Sequence, residues 1–123
     1  MKKITVKEEE IMNFFWEKGE LFVKQILEFY NEPRPHYNTV STMVRALEEK
    51  GYLGYRPFGN TYQYYPIISK DEYNRKNLRT MIRQYFGNSF KSVVSTLIEE
   101  EDLSIEELRE LIHEIENKRK TRK

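Results

Sequence analysis

Residues 36–65, HYNTVSTMVRALEEKGYLGYRPFGNTYQYY, decide the fold, because they read as a short helix with an uncharged polar leading edge that runs directly into a β-hairpin. Pro33 and Pro35 precede the helix as breakers. It stops at Lys50-Gly51, where a lysine faces the negative end of the helix dipole and a glycine accepts left-handed cap geometry. Val40, Val44, Leu47 and Gly51 recur at i, i+4, i+7 and i+11 and form an inward stripe. Asn38, Thr39, Ser41, Thr42 and Arg45 fall off that stripe. They are short hydrogen-bonding groups plus one guanidinium, a set suited to base edges and phosphates. Taken alone, the helix also admits a plainer account: an amphipathic helix whose polar face is only solvated.

The flanking segments favour the first account. Tyr52–Arg56 and Thr61–Tyr65 are rich in aromatic and β-favouring residues, and Gly59-Asn60 between them suits a turn with positive φ. Pro57 and Pro66 bracket the second arm; proline has no N–H for the ladder, so the ribbon should be short and at an edge. The tyrosines could simply cap a small core, but Arg56 and Asn60 near the tip fit DNA contact better. Upstream, Thr5-Val6-Lys7-Glu8 is a capping box that opens a helix burying Ile11, Met12, Phe14, Phe15 and Trp16 and ending at Gly19. A second helix from about Phe22 to Tyr30 carries Val23, Ile26, Leu27 and Tyr30 at helical spacing. Two helices, a proline-marked turn, a third helix and a hairpin make a winged helix-turn-helix over residues 1–68.

Residues 69–123 read as a helical dimerisation region, so the chain as a whole is mainly α with one small β-hairpin. Ser69-Lys70-Asp71-Glu72 is a capping box before a helix with Tyr73, Met81, Ile82, Tyr85 and Phe86, and Gly87-Asn88 breaks it. Phe90, Val93, Val94, Leu97 and Ile98 then recur at helical spacing. After Ser104 the series Ile105, Leu108, Leu111, Ile112 and Ile115 does the same. Three amphipathic helices in so short a segment cannot all bury their stripes on one small winged helix, and a second copy of the same segment supplies the missing surface. An intramolecular helical subdomain is the alternative. The run Lys118-Arg119-Lys120-Thr121-Arg122-Lys123 is expected to be a frayed, solvated tail.

Composition narrows the function further. Lys and Arg number 21 against 20 Asp and Glu, so the chain lacks the bulk positive field of a nonspecific nucleic-acid binder. Any specific binding must come from a few placed contacts and from dimeric geometry. There is no cysteine, hence no disulfide, thiolate nucleophile or cysteine-based metal site. His36 and His113 lie in different halves without partners at triad or metal spacing, and no glycine-rich phosphate loop occurs. The acidic run Glu99–Asp102 reads as the solvated end of one helix and the approach to the next. No enzyme, metal or cofactor is expected. Met1-Lys2-Lys3 leads into a charged helix, and no stretch has the apolar length of a membrane span. A cytoplasmic protein that is not inserted in a membrane is expected.

The chain resembles the penicillinase-repressor family of bacterial transcription regulators, which includes methicillin-resistance and copper-transport regulators. The resemblance rests on EEEIMNFFWEKGE, NTVSTMVRALEEKGYL, QYYPIIS and FKSVVSTLIEEEDLSIEELREL and spans nearly the whole chain. It implies a homodimer that occupies a dyad operator in double-stranded DNA and blocks transcription, with the positions of Asn38, Thr39, Ser41 and Thr42 at the DNA surface. Family members often carry a basic residue where Asn38 or Ser41 stands here, which implies a different operator preference. The copper-responsive branch uses cysteine pairs near its C-terminus that this chain lacks. In the β-lactam-responsive branch a membrane sensor protease cuts an Asn-Phe bond in the dimerisation helices; the matching bond here is Thr96-Leu97. The competing reading is a winged helix that binds protein. Retention of Asn38, Thr39, Thr42, Arg45 and Arg56 favours DNA.

Overall fold

Helix α1, Val6–Lys18, begins with a reciprocal cap: Glu8 N–H donates to Thr5 Oγ1 at 3.1 Å and Thr5 N–H to Glu8 Oε1 at 2.8 Å. In this computed structural model, which describes residues 2–121, there follow α2 (Val23–Glu28), α3 (Tyr37–Glu49), β1 (Leu53–Phe58), β2 (Thr61–Pro66), α4 (Lys70–Phe86), α5 (Phe90–Glu99) and α6 (Ile105–Thr121). Helix α2 is shorter than its apolar spacing predicts. It starts after Phe22, whose N–H is capped by Gln25 Oε1 at 2.9 Å, and it ends before Phe29.

The hairpin pairs Leu53 with Pro66 through Phe58 with Thr61, with Gly59 at φ +61° in the turn. Pro57 therefore lies inside β1 opposite Tyr62 instead of outside the ribbon. A two-stranded ribbon has open edges, so a missing donor there is tolerated. Sequence pattern gave no sign of a third strand segment at Leu21, which exchanges two 2.9 Å backbone hydrogen bonds with Tyr64 and ties the wing to the chain before α2.

The chain divides between Arg75 and Lys76 into two compact units. In the first, Ile11, Met12, Phe15, Ile26, Val40, Val44 and Leu47 are buried at the meeting of α1, α2 and α3, with Leu21, Tyr52, Leu53 and Tyr64 closing the core from the ribbon side. The start of α4 belongs to this unit. Tyr73, expected on a partner-facing stripe, is only 7% exposed. Its ring packs on Trp16 at 5.2 Å and Tyr52 at 5.9 Å, and its hydroxyl donates to Glu9. Trp16 Nε1 in turn donates to Ile68 O at 2.8 Å. An aromatic ring one turn into α4 thus finds more apolar partners in the winged helix than in water.

The second unit turns from α4 into α5 through Gly87 and Asn88, both at positive φ. Ser89 caps α5 through Ser92 N–H. Ser104 and Glu107 form another capping box before α6. Ile82 is buried and Val93, Val94, Ile98 and Leu108 are half-buried, whereas Met81, Tyr85, Phe90, Leu97, Ile105, Leu111, Ile112 and Ile115 are exposed. The basic run departs from the expected fraying: Lys118, Arg119 and Lys120 form the last turn of α6, where cations complement the helix dipole. Arg122 and Lys123 lie outside the described residues.

Candidate nucleic-acid interface

Helix α3 presents its first turns outward. His36 is the N-cap residue, and Tyr37, Asn38, Thr39, Thr42 and Arg45 are exposed. Thr42 donates its hydroxyl hydrogen to Asn38 O at 2.8 Å, so it meets a ligand as an acceptor. Ser41, placed by the sequence on the exposed edge, is instead only 8% exposed. It lies in the floor of a groove of about 380 Å³ between α3 and the ribbon, walled by Tyr55, Tyr62 and Tyr64 and by Arg45, whose Nη2 donates to Ser41 Oγ at 3.4 Å. A small hydroxyl fits where the ribbon crosses the helix. Burial also raises the Tyr64 hydroxyl above its ordinary pKa, with Arg45 pulling the other way and neighbouring Glu48, Tyr37 and Tyr62 adding to the rise.

The ribbon holds a single charged residue between Leu53 and Pro66, Arg56. Its guanidinium is paired with the Glu20 carboxylate and lies over the Tyr65 ring, 4.9 Å from the centroid. Gly54 makes room for that ring: a Cβ on Gly54 would lie 2.5 Å from Tyr65 Cζ. At the tip Asn60 is exposed, as is Phe58, whose ring meets Phe22 edge-on at 5.3 Å. Tyr37 and Phe58, which line one groove beside this face, were not singled out by the sequence. Tyr37 is the first residue of α3 and 45% exposed, and its place in the first turn of the helix was the available signal.

The C-terminal end of α3 is fixed from outside the helix. Lys50 Nζ donates to Glu8 Oε1 at 2.7 Å, with the two side chains 26% and 6% exposed. Burial by itself would raise the Glu8 carboxyl, but hydrogen bonds from Lys50 and Thr5 and the Lys50 charge outweigh it and leave the group below its ordinary pKa. In the second unit the Thr96-Leu97 bond lies inside α5, with Thr96 Oγ1 donating to Ser92 O at 2.9 Å. Among the described residues no cluster of three or more metal-ligating side chains occurs, and no helix is long and apolar enough to cross a membrane.

Three helices, a bridged ribbon and an outward polar helix face define a winged helix-turn-helix protein with a helical extension. Residues 4–117 match the family model described as penicillinase repressor, and the chain belongs to that family of transcriptional repressors, which are not enzymes. It is 29% identical over 110 residues to the methicillin resistance regulatory protein MecI of Mammaliicoccus sciuri, covering 89% of each chain. Against the penicillinase repressor of Staphylococcus aureus it is 27% identical over 120 residues, covering 94% of this chain and 95% of that one. The penicillinase repressor of Bacillus licheniformis is 24% identical over 127 residues, covering 100% and 99%.

Proposed function

We propose that this protein represses transcription as a homodimer bound to a dyad operator in double-stranded DNA, each protomer laying α3 in the major groove. The observation that carries this reading is the exposed set Asn38, Thr39, Thr42 and Arg45 on the leading turns of α3. Asn38 and Thr39, nearest the N-terminus, read base edges, Arg45 holds the backbone, and Thr42, whose hydroxyl hydrogen is taken by Asn38 O, offers its oxygen to a base amino group and not to a phosphate. Ser41 supports Arg45 from within the groove and does not itself reach a base. Arg56 and Asn60 stand on the ribbon beside this face, with Arg56 engaged by Glu20.

Dimerisation through the second unit is supported by its exposed apolar residues, among them Met81, Tyr85, Phe90, Leu97, Leu111, Ile112 and Ile115. Water-facing side chains of that size on successive helices gain free energy by pairing with a second copy. Release then follows from cutting Thr96-Leu97 by a membrane sensor protease. A gel shift on the DNA upstream of the protein's own gene, with random duplex as competitor, tests the central reading. Retention of the shifted band under excess competitor is expected. Loss of the band at equal competitor would show DNA binding without sequence preference, and absence of any shifted band would point to a protein-binding winged helix.

A further inference from the structure

The wing-tip groove, and not the wing's own arginine, supplies the most specific new assignment. Phe22, Phe58 and Tyr37 line an open groove of about 530 Å³, with Lys24 and Gln25 from α2 on one side and Asn60 and Thr61 from the turn on the other. Tyr37 belongs both to this groove and to the first turn of α3, so the groove continues the helix face that the proposed function places on DNA. The charge distribution is uneven. Arg56, the ribbon's one cation, is held by Glu20 and stacked on Tyr65, while Lys24 is exposed and in no ion pair among the described residues.

We propose that this groove holds a stretch of operator sugar-phosphate backbone, with Lys24 as its phosphate partner and the Phe58 and Tyr37 rings packed on deoxyribose. A backbone segment presents an anion flanked by apolar sugar faces, which is the chemistry of one free ammonium beside exposed aromatic rings. Asn60 and Thr61 add neutral donors for the phosphate oxygens. Arg56 remains on Glu20 and neutralises no phosphate. The assignment rests on the DNA-binding reading above and adds the residues outside α3 that anchor the backbone.

The test is fluorescence anisotropy of the full chain on its operator duplex and on a random duplex over a series of salt concentrations, with Lys24→Gln, Arg56→Gln, Phe58→Ala and Phe58→Leu. Lys24→Gln is expected to weaken both duplexes alike and to make the salt dependence shallower by about 0.9 per bound protomer. Arg56→Gln is expected to leave that slope unchanged. Phe58→Ala is expected to cost about tenfold in affinity at unchanged slope, with Phe58→Leu recovering most of it. Thermal melts matching wild type show that the variants are folded. A slope that changes with Arg56→Gln and not with Lys24→Gln overturns the assignment, as does unchanged affinity in Phe58→Ala. A wild-type protein that binds neither duplex would refute the DNA-binding reading itself, a result distinct from both.

Discussion

Lys50, the residue that closes α3, donates its ammonium to the same Glu8 oxygen that caps the start of α1, so one carboxylate oxygen serves Thr5 N–H at 2.8 Å and Lys50 Nζ at 2.7 Å. The end of α3 is thereby tied to a point that α1 cannot move without losing its own cap. Replacing Lys50 by Met leaves a buried carboxylate without its counter-charge and is expected to cost about 3 kcal/mol. Because the Glu8 pKa is lowered on folding, its contribution is complete above the ordinary carboxyl range and is lost as pH falls through the depressed value. Melting temperatures followed by circular dichroism below about pH 5 should therefore fall less steeply in Glu8→Gln than in the wild type. Equal slopes in the two proteins would show that Glu8 is not the titrating group.

That ion pair also shows what the sequence could and could not disclose. The capping function of Glu8 was legible because Thr5 is three residues away, and the same holds for Ser69 before α4, while the caps at Ser89 and Ser104 were not singled out from the sequence. Its second function was not, since Lys50 is 42 residues distant and no local pattern links them. Of the stripe Val40, Val44, Leu47 and Gly51, the three aliphatic residues are buried, whereas Gly51 lies past the end of α3 and is exposed. Ser41 was misplaced because its burial depends on where the ribbon crosses α3, which helical spacing does not contain. Tyr73 was grouped with the later helices for the same reason: its partners Trp16 and Tyr52 come from other elements.

Gly54 is required by the ring of Tyr65 and not by its own backbone. A methyl group there would meet Tyr65 Cζ, Oη and Cε2 at 2.5–2.7 Å, so the ring must swing away and leave Arg56. Gly54→Ala is expected to destabilise the protein by about 1–2 kcal/mol, the overpacking cost at a site where the obstructing atoms can rotate. In a Tyr65→Ala background the same substitution should cost almost nothing. A double-mutant cycle from urea denaturation measures the difference, and additivity of the two changes would disprove the steric account.

On α3, Thr39→Ala should weaken operator binding by about 1–3 kcal/mol and blur preference at one operator position. Arg45→Ala should weaken operator and random duplex to the same degree, because a backbone contact carries no base information. Competition anisotropy against a set of singly substituted operators distinguishes the two patterns. Operator affinity unchanged in both variants would remove α3 from the DNA surface.

Truncation separates the roles of the two units and tests where the first one ends. A chain ending at Arg75 keeps Tyr73 on Trp16 and Tyr52, whereas one ending at Ile68 leaves those rings uncovered. Both should be monomeric in analytical ultracentrifugation, since the exposed apolar residues of α5 and α6 are gone. The shorter one should be less stable by about 2–3 kcal/mol, the cost of losing a buried aromatic contact surface. Operator binding should fall steeply in both because a lone protomer reaches only a half-site. A dimer of either truncated form would place the interface in the winged helix.

Cleavage in the second unit has a definite mechanical consequence. The Thr96-Leu97 bond lies within α5, where Thr96 is exposed and Leu97 is 37% exposed, so a protease finds the position from solvent but must unwind the turn held by Thr96 Oγ1 on Ser92 O. Cutting there severs Leu97 and Ile98, together with Leu111, Ile112 and Ile115 of α6, from the DNA-binding unit. Those side chains are part of the apolar surface assigned to the dimer, with Met81, Tyr85 and Phe90 left on the N-terminal fragment, so the association constant drops and operator occupancy follows by mass action. Co-expression with a membrane protease encoded beside this gene, followed by intact-mass measurement under induction, should give an N-terminal fragment ending at Thr96. That fragment should sediment as a monomer and bind the operator as weakly as the chain truncated at Arg75. A fragment ending elsewhere, or an uncut chain after induction, would exclude this bond as the point of release.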